Sequence, residues 1–313
     1  MNTRSARLLP YRPALRPVLA PATAALVATS LLLVGCQAQA AESVPGSVTV
    51  TDDVQTVALE TPRLASADNF RDLAGTDHAY STGDGHLKAA SVYRSNALDI
   101  TDEDLATVEG LGISTVIDLR TDSEIEEHPD RVPEGAEYVH VDVVGGATTA
   151  ANPTTDLRVD SPDAPATMLG ELNRSFVTDD GMKARLAKAV TAVAEADGPV
   201  VFHCTAGKDR AGLVSAVLQL AAGVTEKDVI ANYLATNDYS KDRTDATVEQ
   251  IRESEGDQAA DTYRVLAGVQ EGFLRSGLDA LKEFYGDVDT YLVSGLGVDV
   301  STVLALKEKL VEA

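Results

Sequence analysis

Cysteine is nearly absent from this chain: Cys36 and Cys204 are the only two in 313 residues. A fold built on disulfides is therefore excluded, and an apolar core must do that work. Cations are scarce as well, with 26 Lys and Arg against 49 Asp and Glu and a formal charge of −23. A surface of that sign repels nucleic acid and anionic lipid headgroups, so neither is expected as a partner of the general surface. The plainest use of the acid excess is solubility. Histidine is sparse too, and His78, His86, His128 and His140 show no metal-ligand spacing, so no metal site is expected. There is no internal repeat. The longest apolar run, from about Ala22 to Val34, is short and Ala-rich for a permanent membrane span.

What is present suits an ordinary globular protein: 44% hydrophobic residues and 24% charged ones. Residues 1–35 read as an export signal, with Arg4, Arg7, Arg12 and Arg16 ahead of the apolar stretch. It ends in "LVGC", where small residues before Cys36 resemble a bacterial lipobox. On that reading Cys36 carries lipid and begins the mature chain, anchored to the outer face of the cell membrane. The alternative is a plain signal peptide cut near "AQAA" and a protein secreted free. Residues 36–60 are small and polar and read as a tether. With Cys36 lipidated, Cys204 stands alone, and a lone thiol in an exported protein points to reactivity.

From residue 61 to 313 one domain is expected. "AYSTGDGHLKAASVYRS" suggests a hairpin around Gly-Asp-Gly. Thr101 with Asp104, and Thr225 with Asp228, read as capping boxes; the first opens a helix burying Leu105, Val108 and Leu111. "STVIDLR", "YVHVDVV" (138–144) and the wholly apolar "PVVF" read as strands, the last central and buried on both faces. Leu186, Val190 and Val193 mark a helix, and the chain beyond Thr225 has a helical pattern throughout. Residues 145–180, rich in Gly, Pro, Thr and Asp, read as a lid-like insertion with short helices. The sum is an α/β fold: a mostly parallel central sheet flanked by helices, with a helical C-terminal portion.

The densest chemistry lies in "PVVFHCTAGKDRAGLVSAVLQLAAG" (199–223). Strand, glycine-containing loop and helix in that order make the place where an α/β sheet binds ligands. Cys204 and Arg210 are separated by five residues, which can wrap into a semicircle with amides pointing inward. A helix starting near Ala211 adds its positive end, Gly207 permits the turn, and Arg210 can fork onto two phosphate oxygens. The same field favours a thiolate at Cys204 over a thiol.

"HCTAGKDRAG" resembles the HCxxGKDR signature of the atypical bacterial tyrosine phosphatases, secreted dual- or triple-specificity members of the Cys-dependent phosphatase superfamily. "NFRDLAG", "VYRSNAL", "LGISTVIDLRTDSE" and "NYLATN" resemble that family's other stretches in the same order. The resemblance implies a Cys-dependent phosphatase-like fold and a phosphocysteine intermediate. Phosphorylated protein or phosphoinositide is the implied substrate, and no cofactor is needed. It implies Cys204 as nucleophile, Arg210 as phosphate clamp and Asp209 as general acid, with Asp142 or an acid of 145–180 as rivals. Thr205, Ala206, Gly207 and Lys208 would bind phosphate, and His203 would support the thiolate. Relatives carry Thr or Ser where this chain has Ala211, which implies slower breakdown of the phosphoenzyme. Arg71, Asp72, Arg94 and Arg120 could line the pocket or brace its loops. Two other readings remain: a rhodanese-like sulfurtransferase, and a non-catalytic surface lipoprotein that binds phosphorylated ligands.

Overall fold

The structure is a computed structural model that describes residues 59–145, 157 and 161–313. The export-signal reading and nearly all of the tether lie outside those residues, as does most of 146–160. The compact unit that carries the fold runs from Val54 to Ala313.

The chain forms, in order, β1 (Arg71–Asp72), β2 (His86–Leu87), β3 (Val92–Ser95), α1 (Asp102–Gly110), β4 (Thr115–Asp118), α2 (Asp122–Glu127) and β5 (Glu137–His140). Two long helices follow, α3 (Ala164–Thr178) and α4 (Asp180–Glu195), then β6 (Val200–His203) and α5 (Asp209–Ala221). The remainder is helical: α6 (Glu226–Leu234), α7 (Thr236–Tyr239), α8 (Lys241–Glu255), α9 (Asp257–Ala267), α10 (Glu271–Tyr285) and α11 (Val288–Thr290). A π-helical turn (Tyr291–Gly295), α12 (Val300–Leu310) and a two-residue β7 (Val311–Glu312) close the chain.

Five strands make the main sheet in the order β1-β3-β6-β4-β5. β6 is central and parallel to both neighbours, with Val201 opposite Tyr93 on one side and Val116 on the other. β5 is parallel to β4, and only the edge strand β1 runs antiparallel. Because strand side chains alternate, Tyr93, Val116 and Val201 enter one core with Phe70 and Leu98, while Val92, Ile117, Val200 and Phe202 enter the other. The second core is closed by α3, α4, α5 and α10 through residues such as Phe176, Val190, Leu213 and Leu278. Val200, Val201 and Phe202 are wholly buried, each contributing about 1.5–3 kcal/mol of apolar transfer. No helix among the described residues is long and apolar enough to cross a membrane.

Several details depart from the sequence reading. β5 ends at His140, where Asp142 caps the Val144 and Gly145 amides and turns the chain, so 138–144 is not one strand. Fifteen residues of the expected insertion form one regular helix, α3. Leu105 and Leu111 remain half-buried, and Val108 alone of the three is fully enclosed. Thr101 caps α1 through the Asp104 amide, but the Asp104 carboxylate turns to Ala65 and Ser66 rather than completing a box. Thr225 likewise caps α6, with the Asp228 carboxylate on its own hydroxyl. The complete capping box is Thr121–Glu124 at α2. The Gly-Asp-Gly turn is a narrow hairpin, and β2 takes β7 as its strand partner. α5 begins at Asp209, two residues before Ala211.

Candidate active site

Residues Cys204–Lys208 link the carboxyl end of β6 to the first turn of α5. The outward face of this loop is held carbonyl by carbonyl. Thr205 O accepts from the Ala97 amide at 3.1 Å, and Ala206 O accepts from Asn69 Nδ2 at 3.0 Å. Gly207 O accepts from Asn69 Nδ2 at 3.1 Å and from Arg94 Nη2 at 2.7 Å. In a trans peptide the following N–H lies opposite the carbonyl, so the amides of Ala206, Gly207 and Lys208 face the other side. Among the described residues none of these amides donates to a protein acceptor. α5 begins without a side-chain cap, adding its first amides to the same field.

Gly207 is dictated by this arrangement. Its φ is +69°, and a Cβ there would lie 2.5 Å from Ser95 O and 2.7 Å from the Asn96 amide nitrogen, at the end of β3. Loop and neighbouring strand touch backbone to backbone, which only glycine allows.

Cys204 is 2% exposed at the base of the loop. Arg210 lies in the first turn of α5 and reaches back to Thr205 Oγ1 at 3.5 Å. Its guanidinium donates to Leu119 O at 3.3 Å and to both oxygens of Glu124, at 2.8 and 2.6 Å. Burial tends to deprotonate Arg210, but the Cys204 and Glu124 charges outweigh it and hold the guanidinium above its usual range. Glu124 is thus the orienting partner of Arg210, and it also accepts from Thr205 Oγ1. Burial pushes its carboxyl upward, yet Arg210, Thr121 and Thr205 overcome this and hold Glu124 at about 2. The sequence does not single out Glu124 as a site residue, although the T-x-x-E box in "RTDSE" carries the signal.

Lys208 and Asp209 are both nearly buried, with Lys208 Nζ 2.7 Å from Asp209 Oδ2. Asp209 Oδ1 has no partner among the described residues. Asp142, the rival acid, spends Oδ1 on the Val144 and Gly145 amides. Ala211 is fully buried at the start of α5.

His203 is also buried, but its ring lies toward β4, Nε2 3.1 Å from Asp130 and Nδ1 3.9 Å from Asp118. Asp118, Asp130 and His203 bring three ligand atoms within 4.8 Å of one another. A cation already sits between the carboxylates: Arg120 Nη2 is 2.7 Å from Asp118 and 2.6 Å from Asp130. Arg120 therefore braces the β4 end and does not line the loop.

Arg71 and Arg94 are braces too. Arg71 donates to Asn69, to Asn232 O at 3.0 Å and to Thr236 Oγ1 at 3.1 Å. Arg94 reaches Asn232 Oδ1 at 3.1 Å besides Gly207 O. The dispersed stretches "NFRD", "YRSN" and "NYLAT" so converge on the back of the loop. Asp72 accepts from the Ala74 and Ala90 amides and closes its own turn. Burial raises its carboxyl to about 6 against those two hydrogen bonds.

A family model described as the tyrosine phosphatase family matches residues 62–312. The triple specificity protein phosphatase PtpB of Mycobacterium tuberculosis is 30% identical over 272 residues, 77% of this chain and 95% of that protein. A tyrosine-protein phosphatase of Nostoc commune is 31% identical over 68% of this chain and 71% of its own length. A putative tyrosine-protein phosphatase of Cupriavidus necator is 28% identical over 74% and 83%. The solved TpbA of P. aeruginosa matches at 17% identity and a TM-score of 0.25, covering 72% of this chain and 98% of that one, too weak a likeness to argue from. With the matched segment spanning nearly the whole described unit, the chain belongs to the tyrosine phosphatase family and is a phosphoric monoester hydrolase.

Proposed function

We propose that this phosphatase works through a phosphocysteine and accepts phosphotyrosine, phosphoserine or phosphothreonine, and phosphoinositide headgroups. The breadth is suggested by the triple specificity in the name of the mycobacterial relative. The observation that carries the chemistry is the loop itself: carbonyls bound outward, amides turned the other way, Cys204 at the base and Arg210 at the rim.

In the first step Cys204 Sγ attacks phosphorus in line while the bond to the leaving oxygen breaks. Arg210 and the loop amides hold the non-reacting oxygens and stabilise charge that grows there. The leaving oxygen takes its proton from the protonated form of Asp209, whose Oδ1 has no partner among the described residues, and Asp209 is left as the carboxylate that accepts from Lys208 Nζ. In the second step water attacks the phosphocysteine and gives a proton to Asp209. The sulfur leaves as thiolate, and inorganic phosphate is released. The N-terminal segment completes the proposal: Cys36 is lipidated and the enzyme faces outward from the cell membrane.

The test is one substrate panel of phosphotyrosine, phosphoserine and phosphothreonine peptides and phosphoinositides, run on wild type and Cys204→Ser. Turnover of all classes by wild type, with none by Cys204→Ser, is expected. Activity confined to phosphotyrosine removes the broad specificity, and equal activity of the two proteins removes the mechanism. Membrane fractionation of Cys36→Ser beside wild type tests the anchor: the variant should be soluble.

A further inference from the structure

Two fully buried arginines behind the loop, Arg71 and Arg94, lack any carboxylate within ion-pair distance among the described residues. Taking a guanidinium out of water without a counter-charge costs several kcal/mol, so a fold that keeps two of them needs a reason. Their hydrogen bonds go to neutral groups only: Asn69, the Asn232 side chain and backbone, Thr236 and Gly207 O. Neutral acceptors orient a guanidinium without cancelling its charge.

Resting on the phosphatase reading, we propose that Arg94 is the positioning residue of the phosphate loop. It holds the Gly207–Lys208 peptide with its amide toward the substrate, and lends the bound phosphate a buried positive charge that no carboxylate cancels. Three observations support this. Arg94 Nη2 makes the shortest of the bonds that pin the loop carbonyls, 2.7 Å to Gly207 O. Burial lowers the Arg94 guanidinium to about 10, while the charge at Cys204 is the foremost influence pulling it back up. The nearest side-chain acceptor, Asn232 Oδ1, belongs to an amide that differs from aspartate by a single atom. An aspartate there would form an ordinary buried ion pair and silence the charge. Arg71 stands one layer back, fixing Asn69 and Asn232, the two residues through which Arg94 and the loop are held.

The deciding experiment exploits that single atom. Full-length wild type, Asn232→Asp, Arg94→Gln and Arg94→Lys are titrated with inorganic phosphate by calorimetry and assayed with p-nitrophenyl phosphate. Thermal melts monitor folding. Asn232→Asp is expected to weaken phosphate binding about tenfold and to lower kcat, with no loss of melting temperature, because it gives Arg94 a counter-ion in place. Arg94→Gln loses the charge and, with a side chain two bonds shorter, the reach of Nη2 to Gly207 O, so it should fall at least as far. Arg94→Lys keeps the charge and should lie between Arg94→Gln and wild type. Folded Asn232→Asp that binds phosphate and turns over like wild type overturns the inference. So does Arg94→Lys losing as much as Arg94→Gln. Should Arg94→Gln fail to fold, Asn232→Asp decides alone. A wild type that does not hydrolyse p-nitrophenyl phosphate would remove the phosphatase reading and leave the phosphate titration to judge Arg94. A hydrolysing wild type with an indifferent Asn232→Asp would remove the role of Arg94 and nothing else.

Discussion

The two flanks of the loop treat buried charge in opposite ways. On the β4 side every buried cation has its carboxylate: Arg120 holds Asp118 and Asp130, and Arg210 holds Glu124. On the β1–β3 side Arg71 and Arg94 have amides, carbonyls and a hydroxyl instead. The first flank is balanced and serves geometry. The second is left positive, on the side from which the loop carbonyls are held. A dianion entering the loop therefore meets amides fixed by the second flank and a field that the same flank leaves uncancelled.

Breaking the balanced flank should have the largest effect. Glu124→Gln removes the carboxylate from a buried, bidentate ion pair with Arg210, which costs about 3–5 kcal/mol of stability. The guanidinium also loses the carboxylate that aims it, so kcat/KM should fall about 100-fold. Stopped-flow kinetics and urea unfolding on the same preparation check both numbers.

On the other flank, Asn69→Ala removes the donor to Ala206 O and Gly207 O. Ala206 O is then orphaned, which costs about 1–3 kcal/mol if it stays dry, while Gly207 O keeps Arg94 Nη2. Inorganic phosphate should inhibit about tenfold less well, with the Ala206–Gly207 peptide free to rotate out of register. Calorimetry with phosphate reads this directly.

pH should separate the flanks by sign. Glu124 is held at about 2 against 4.5 for a free side chain, so its pairing stabilises the fold above pH 4.5 and is lost as pH falls toward 2. Asp118 is depressed as well: burial opposes ionisation, but Arg120 and His203 overcome it, so its contribution vanishes in the same direction. Asp72 behaves oppositely. Burial lifts it from 3.8 to about 6, so its contribution is present below 3.8 and is lost as pH rises through about 6. Melting curves of wild type and Glu124→Gln between pH 3 and 7 should differ least at the acid end (a range set by the unfolded carboxylate values, roughly 4).

The smallest effect is expected at Ala211, which lies on neither flank. If the missing hydroxyl slows breakdown of the phosphoenzyme, Ala211→Ser should raise steady-state turnover about threefold and leave the burst unchanged. An unchanged rate would assign the slow step elsewhere.

Most of the central frame is legible in the sequence. β6 stands out because an unbroken apolar run needs burial on both faces, and the loop because Cys, Gly and Arg at that spacing serve few other purposes. The arginine network is only half legible. "NFRD" and "YRSN" announce buried polar residues, but whether they face substrate or brace a loop depends on contacts more than 100 residues apart, such as Asn69 with Gly207 and Arg94 with Asn232. Glu124 escapes notice for a related reason. As a capping residue it already has a complete local explanation, and nothing local reveals that its second oxygen meets Arg210. The pattern overextends β5 because alternation continues past His140, whereas an aspartate turn at Asp142 ends the strand.

One measurement bears most directly on Cys204 as the covalent acceptor of phosphate. Wild type mixed with a phosphotyrosine peptide is quenched within the first turnover, digested and sequenced by mass spectrometry. A single phosphoryl group on the sulfur of Cys204, absent from Cys204→Ser, is the predicted result. Rapid turnover with no phosphate on that sulfur at any quench time would contradict it.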